Sequence, residues 1–126
     1  MYNLMVDVVN DLVIIELYGS LSEQEINAYV EDLQKITKKY ESKLYSILII
    51  ANRLHPLSQK NIPNFKRATQ LVLIWAKSIA VVNGNRTLTL YQMKRIVAEV
   101  REQSKLETPL IRFRTRKEAM EYIFKV

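Results

Sequence analysis

The chain's one histidine, His55, stands three residues ahead of Ser58 in the stretch Ala51–Ile62, ANRLHPLSQKNI. A serine hydroxyl near an imidazole suggests nucleophilic chemistry. That chemistry needs a third group to orient the base and a tight glycine-flanked turn to expose the serine. Neither accompanies this pair, so no hydrolase is read here and no catalytic residue is assigned. A serine ahead of a helical pattern has other uses. Its oxygen can cap a free amide, worth about 1 kcal/mol, accept a phosphoryl group, or contact a ligand. Ser58 reads first as a cap. One imidazole cannot build a histidine-rich metal site, no carboxylate sits at ligand spacing, and the chain has no cysteine. No metal and no cofactor are expected.

A second candidate is Asn83-Gly84-Asn85-Arg86-Thr87, between an apolar run and a helical pattern. Ligands of open sheets bind at such strand ends, and a helix start near Arg86 can hold a phosphate or carboxylate. One glycine is far from a phosphate-binding loop, and Asn-Gly also reads simply as a turn. If the two loops share one sheet edge, the pocket walls come from Arg53, His55, Ser58, Asn83, Asn85 and Arg86. Lys60, two residues past Ser58, is the cation nearest an added phosphate. A third group is basic: Lys94, Arg95 and Arg101, then Arg112, Arg114, Arg116 and Lys117. Nucleic-acid binding needs such groups to converge beside exposed aromatics. Tyr29, Phe65, Trp75, Phe113 and Tyr122 fall on core faces instead, with Tyr91 a candidate exposed contact. Nucleic acid is not an expected partner.

The net charge of +6 is unevenly spread. Residues 1–41 hold eight acids and three bases, residues 42–98 nine bases and no acid, and residues 99–126 seven bases and five acids. A carboxylate-free middle can form a positive face for an anionic partner. The basic residues alternate with core positions, however, which favours ordinary solvated helix faces. At 126 residues the chain reads as one domain, long enough to bury a core without staples. No apolar run reaches the ~20 residues of a membrane span, and the N-terminus lacks the features of a signal peptide. Absence of cysteine fits a reducing cytosol, so a cytoplasmic location is expected.

The elements that must position these residues follow from periodicity. Residues 2–8 and 12–18 read as strands joined at Asn10-Asp11, an antiparallel hairpin. Ser22-Glu23-Gln24-Glu25 is a capping box, followed at helical spacing by Ile26, Tyr29, Val30, Leu33, Ile36 and Tyr40. The runs 45–51 and 78–82 are continuously apolar, as in strands buried on both faces of a parallel sheet. A helix is expected from Gln59 to Ala76, with Pro63 in its first turn or at a kink. Another starts at Thr89, paired with Gln92. Residues 110–114 read as a last strand, with Ile111 and Phe113 on one face and Leu110 and Arg112 on the other. Thr115 and Glu118 begin a last helix. The order ββαβαβαβα predicts an α/β fold: a central, mostly parallel sheet with an N-terminal antiparallel hairpin and helices packed on it.

This order on this length resembles the STAS family, the domain of sulphate transporters and anti-sigma-factor antagonists, and is similar to its small SpoIIAA-like members. LVIIELYGSLSEQEI at 12–26, ILIIANRLHPLSQKNI at 47–62, IAVVNGN at 79–85, YQMKRIV at 91–97 and RFRTRKEAMEYI at 112–123 carry the resemblance. It also implies kinship with the lipid-binding CRAL-TRIO fold. In the antagonists, an Asp-Ser-Ser/Thr-Gly motif after the third strand holds a serine that the anti-sigma kinase phosphorylates, which releases the partner. The matching place here is Leu57-Ser58-Gln59-Lys60, with Leu57 where the family has Asp and no glycine following. The resemblance therefore implies a non-enzymatic regulatory protein-interaction domain, possessing at most a degenerate phosphoserine site at Ser58. Its expected partner is a protein, an anti-sigma-factor-like kinase or another regulator, and a homodimer is left open. The alternative is a binder of a small anionic or lipid-like ligand at the C-terminal rim of the sheet.

Overall fold

The computed structural model describes residues 1–83 and 87–125. Strands β1 (Tyr2–Asp7) and β2 (Leu12–Gly19) form an antiparallel hairpin. Asp11 takes a left-handed backbone, φ 51°, at its turn, a conformation a short polar side chain tolerates. Helix α1 (Glu23–Lys39), β3 (Tyr45–Leu54), α2 (Ile62–Trp75), β4 (Ala76–Asn83), α3 (Thr87–Ser104), β5 (Leu110–Phe113) and α4 (Arg116–Lys125) follow, with a 3-10 turn at Gln59–Asn61. The sheet order is β1-β2-β3-β4-β5, parallel from β2 onward. The α/β architecture is the one the periodicity indicates.

Each crossover steps one strand further in the same direction, so α1, α2 and α3 lie side by side on one face. Val13, Ile15 and Leu17 of β2, Ile47 and Ala51 of β3, and Ile79 of β4 face them. The helices answer with Ile26, Tyr29 and Leu33 of α1, Phe65, Ala68 and Val72 of α2, and Ile96 and Val100 of α3. Alternate strand residues point the other way. There Leu12, Ile14, Leu48, Ala80 and Val82 meet Ala119 and Ile123 of α4. Both faces of β3 and β4 are thus covered, which is why their sequences are continuously apolar.

Two helix starts differ from the sequence expectation. The segment expected to open a helix at Gln59 is a 3-10 turn, and α2 proper begins at Ile62 with Pro63 in its first turn. The missing proline N–H costs nothing there, because first-turn amides lack intrahelical acceptors. Helix α3 begins at Thr87, two residues ahead of Thr89. Thr89 is buried inside that first turn with its hydroxyl unpartnered among the described residues, so the expected Thr89–Gln92 cap does not form. The box at Ser22/Glu25 forms in full. At Thr115/Glu118 the Glu118 amide donates to the Thr115 hydroxyl, but it is that hydroxyl and not the Thr115 amide that donates to the Glu118 carboxylate, so only half of the expected box forms.

Candidate functional site

The parallel strands β2, β3 and β4 end at one rim, where Gly19 pairs with Leu54 and Ala51 with Asn83. Gly19 closes β2 with φ 70°, a left-handed turn that favours glycine, and its carbonyl accepts from the His55 amide at 3.0 Å. One residue on, the Ser20 hydroxyl meets His55 Nδ1 at 3.1 Å. The two residues of this serine–imidazole contact lie thirty-five apart in sequence, so no local pattern announces it. It lacks a carboxylate on the far ring nitrogen among the described hydrogen bonds, so it ties the ends of two strands together without supplying an activated nucleophile.

The loop that follows is clamped from both sides. Leu57 is buried in the helix-side core. Its amide donates to Gln92 Oε1 at 2.7 Å, and its carbonyl accepts from Gln92 Nε2 at 2.8 Å. One α3 side chain thereby satisfies both backbone groups of a loop residue. The spacing to Thr89 suggests a cap for Gln92; only the packing of α3 beside α2 brings it to Leu57.

Ser58 comes next, exposed, at the N-cap of the 3-10 turn. Its backbone carbonyl accepts from Asn61, but its side chain makes no capping bond. The cap expected of Ser58 is therefore not formed, and its hydroxyl stands clear on a rigidly held turn. Lys60 pairs with Glu23 of α1 at 3.7 Å. Lys43 and Lys66 likewise meet Asp11 and Glu99, so acids from outside residues 42–98 offset part of that basic stretch. Such exposed pairs contribute little individually.

The remaining candidates do not converge on one pocket. Between Glu16/Tyr18 of β2 and Ile50/Arg53 of β3 the register shifts, β3 carrying one extra residue. This bulge takes Arg53 out of alternation and returns Leu54 to the helix-side core. Exposed Arg53 lines a groove with Glu16, Tyr18, Ile50 and Asn52. Asn83 lines a different space, a cavity between the sheet and helices α2 and α3. Asn85 and Arg86, also expected in the pocket wall, fall outside the described residues.

That cavity has about 60 Å³ of free space. Its walls include Ile49, Val72, Ile79, Met93, Val97 and Leu110, with Asn83 and Arg112 among the few polar members. Alternation along β5 already set Arg112 on the same face as Leu110; what the alternation did not reveal is a space between that face and α3. Burial, and secondarily the charge of Arg101, push the Arg112 guanidinium below its ordinary value. Among the described residues no group of His, Cys, Asp and Glu is placed to hold a metal, and no helix is long and apolar enough to cross a membrane.

Neither a family model nor a curated protein matches the sequence. Solved structures do match the fold. The anti-sigma factor antagonist SpoIIAA in its unphosphorylated form aligns with TM-score 0.66 at 13% identity, covering 100% of both chains. The Bacillus cell fate determinant SpoIIAA in its phosphorylated form aligns with TM-score 0.61 at 16% identity, covering 98% of this chain and 99% of that one. A DUF3478-family protein from Shewanella loihica PV-4 aligns with TM-score 0.71 at 13% identity, over 97% and 93%. With the antiparallel hairpin, the three parallel crossovers and the lone helix α4 behind the sheet, this chain has the SpoIIAA-like fold of STAS domains.

Proposed function

We propose that the chain is one SpoIIAA-like domain acting in the cytoplasm as a non-enzymatic regulatory module. It docks a protein partner through the start of α2 and the loop before it. The observation that carries this reading is Ser58: an exposed hydroxyl free of any capping duty, on a turn held by buried Leu57 and by Gln92. A rigid turn presents the same surface to a partner each time, so little ordering entropy is lost on binding. Phosphorylation there adds about −1.5 to −2 charge. Lys60, paired only loosely with Glu23 at 3.7 Å, is free to swing to the phosphate, which would remake the docking surface. The solved relatives include SpoIIAA in unphosphorylated and phosphorylated forms, which supports transferring the switch to Ser58. Among the described residues no carboxylate orients the His55 ring beside Ser20, which favours the non-enzymatic reading.

The test is the phosphorylation state of the protein isolated from its native cells, together with its complexes. Mass spectrometry before and after phosphatase should reveal about 80 Da removed from Ser58. A protein that co-purifies with the wild type should be lost from Ser58→Asp and Lys60→Glu but kept by Lys117→Glu, on the far side of the fold. Unmodified Ser58 in every growth phase, or a Ser58→Asp variant that retains the same partner, refutes the proposal.

A further inference from the structure

The sheet ends in β1 on one side and β5 on the other, and the two edges are built differently. Natural edge strands are blunted by brevity, basic side chains, proline or a bulge, because an open row of backbone groups recruits another strand. Strand β5 follows that rule: it is four residues long and carries Arg112, with Arg114 just beyond. Strand β1, YNLMVD, is six residues long, pairs with β2 in unbroken register, and holds no basic residue and no proline.

The ladder shows which of its backbone groups are open. Met1 and Tyr18 exchange both backbone bonds, at 2.8 and 3.0 Å. Such pairs alternate along an antiparallel ladder, so Asn3, Met5 and Asp7 bond to β2. The N–H and C=O of Tyr2, Leu4 and Val6 therefore point outward. Among the described residues no loop backbone bonds to them.

A second copy of the chain matches this edge. In an antiparallel two-fold pairing centred on Leu4, Leu4 meets itself and Tyr2 meets Val6 on both sides of the axis. Every open group of both strands is then paired, about six hydrogen bonds in all. An axis at Asn3 or Met5 would leave one outward residue of each strand unpaired. The side chains of Tyr2, Leu4 and Val6 pack partly against the helix-side core, and the pairing extends that core across the axis. The flank of α1 beside the edge carries Asp32 and Lys35, which share a surface groove with Tyr2, Asn3 and Leu4. Lys35 has no ion pair among the described residues. The axis reverses the second copy's helix, which turns Lys35 of each copy toward Asp32 of the other. Asp7, the one charged residue of β1, falls opposite Met1 rather than opposite itself. The pairing also closes, as an isologous contact must: the doubled five-stranded sheet ends in β5 on both sides.

We infer that β1 is a homodimer interface, at which two copies join their edges antiparallel about Leu4 into one continuous sheet. The edge lies apart from the Ser58 turn, and Ser58→Asp should leave the pairing intact.

Sedimentation of the full chain from micromolar to millimolar concentration should show the mass rise from 14.8 kDa toward twice that value. Over the same range, hydrogen exchange should slow at the Tyr2, Leu4 and Val6 amides and change far less at Asn3 and Met5, which bond to β2 in both states. Leu4→Pro removes an outward N–H that β2 does not use, a place where an edge strand accepts proline. It should weaken association at least tenfold and keep the far-ultraviolet circular dichroism. Leu4→Cys introduces the only thiol in the chain and sets two of them on Cα atoms about 5.5 Å apart, within disulfide reach. Oxidised glutathione should cross-link it at least tenfold faster than Val9→Cys, in the exposed hairpin turn. A mass of 14.8 kDa throughout, association without slower exchange at the three amides, or equal cross-linking of the two cysteine variants overturns the inference. So does a folded Leu4→Pro variant that associates like wild type; should that variant fail to fold, the exchange pattern and the cross-link still decide.

Discussion

Replacing Gln92 with alanine should loosen the loop that carries Ser58 more than it damages the fold. The wild-type side chain makes two hydrogen bonds to one residue, 2.7 Å from the Leu57 amide and 2.8 Å to its carbonyl. Each is worth a net ~0.5–1.5 kcal/mol, so losing both costs about 1–3 kcal/mol, with the upper end reached if no water replaces the amide. A chain of 126 residues lies between the two size classes that meet near a shift of about 4 °C in Tm per kcal/mol, giving an expected drop of about 4–12 °C. Gln92→Glu keeps the acceptor for the Leu57 amide but faces a carboxylate toward the Leu57 carbonyl, so it should not recover the loss. Gln103→Ala, on the exposed part of the same helix, is the control and should stay within about 0.5 kcal/mol. Circular dichroism measures the melts, and hydrogen exchange reads the Leu57 amide directly. A Gln92→Ala protein whose Tm matches the control and whose Leu57 amide exchanges at the wild-type rate would refute the clamp. The rigid presentation of Ser58 would fall with it.

Other consequences are independent. Leu57→Ala removes a buried side chain from the helix-side core and should cost about 2–5 kcal/mol in chemical denaturation; a loss below 1 kcal/mol would place Leu57 outside the core. Burial first, and then the 2.5 Å hydrogen bond to Asp32, push the Tyr2 hydroxyl up to about 12. Because the folded value is the higher one, the contribution is complete below the ordinary tyrosine value of about 10 and is lost as pH rises through 12. Ultraviolet titration should show two late tyrosines, Tyr2 and the fully buried Tyr29, of which only Tyr2 moves down, though not fully to the ordinary value, in Asp32→Asn. Glu99 on α3 is held below the usual carboxylate range, first by Lys66 of α2 and then by Arg95. Its stabilisation is therefore present above the ordinary glutamate value of about 4.3 and fades as pH falls through the lower folded value. Acid titration of Glu99→Gln should show a shallower stability loss in that window, and a slope equal to wild type would contradict the pairing.

The local order was legible because it is written in short-range chemistry. Continuous apolar runs at 45–51 and 78–82 mean strands covered on both faces wherever they occur. The box at Ser22/Glu25 and the threonine cap at Thr115/Glu118 close over three residues, so they need no tertiary partner to be recognised. The third apparent box, Thr89/Gln92, shows the limit of that logic. Its residues have the right spacing, but α3 packs beside α2, buries Thr89 and turns Gln92 onto Leu57, thirty-five residues away in sequence. The bulge in β3 is another case. Alternation alone sends Arg53 to the helix side, and one extra residue against β2 moves it off that face.

From sequence alone came the ββαβαβαβα order, the mostly parallel sheet, the two inner strands and the rim at which β3 and β4 end side by side, since periodicity and topology rules are properties of the chain itself. Tertiary structure decided what happens at and behind that rim. It freed the Ser58 hydroxyl from capping, gave Ser20 to His55, clamped Leu57 with Gln92, and left a cavity under Arg112. Each of these depends on how far apart two helices lie above a twisted sheet, a distance that no local pattern of residues encodes.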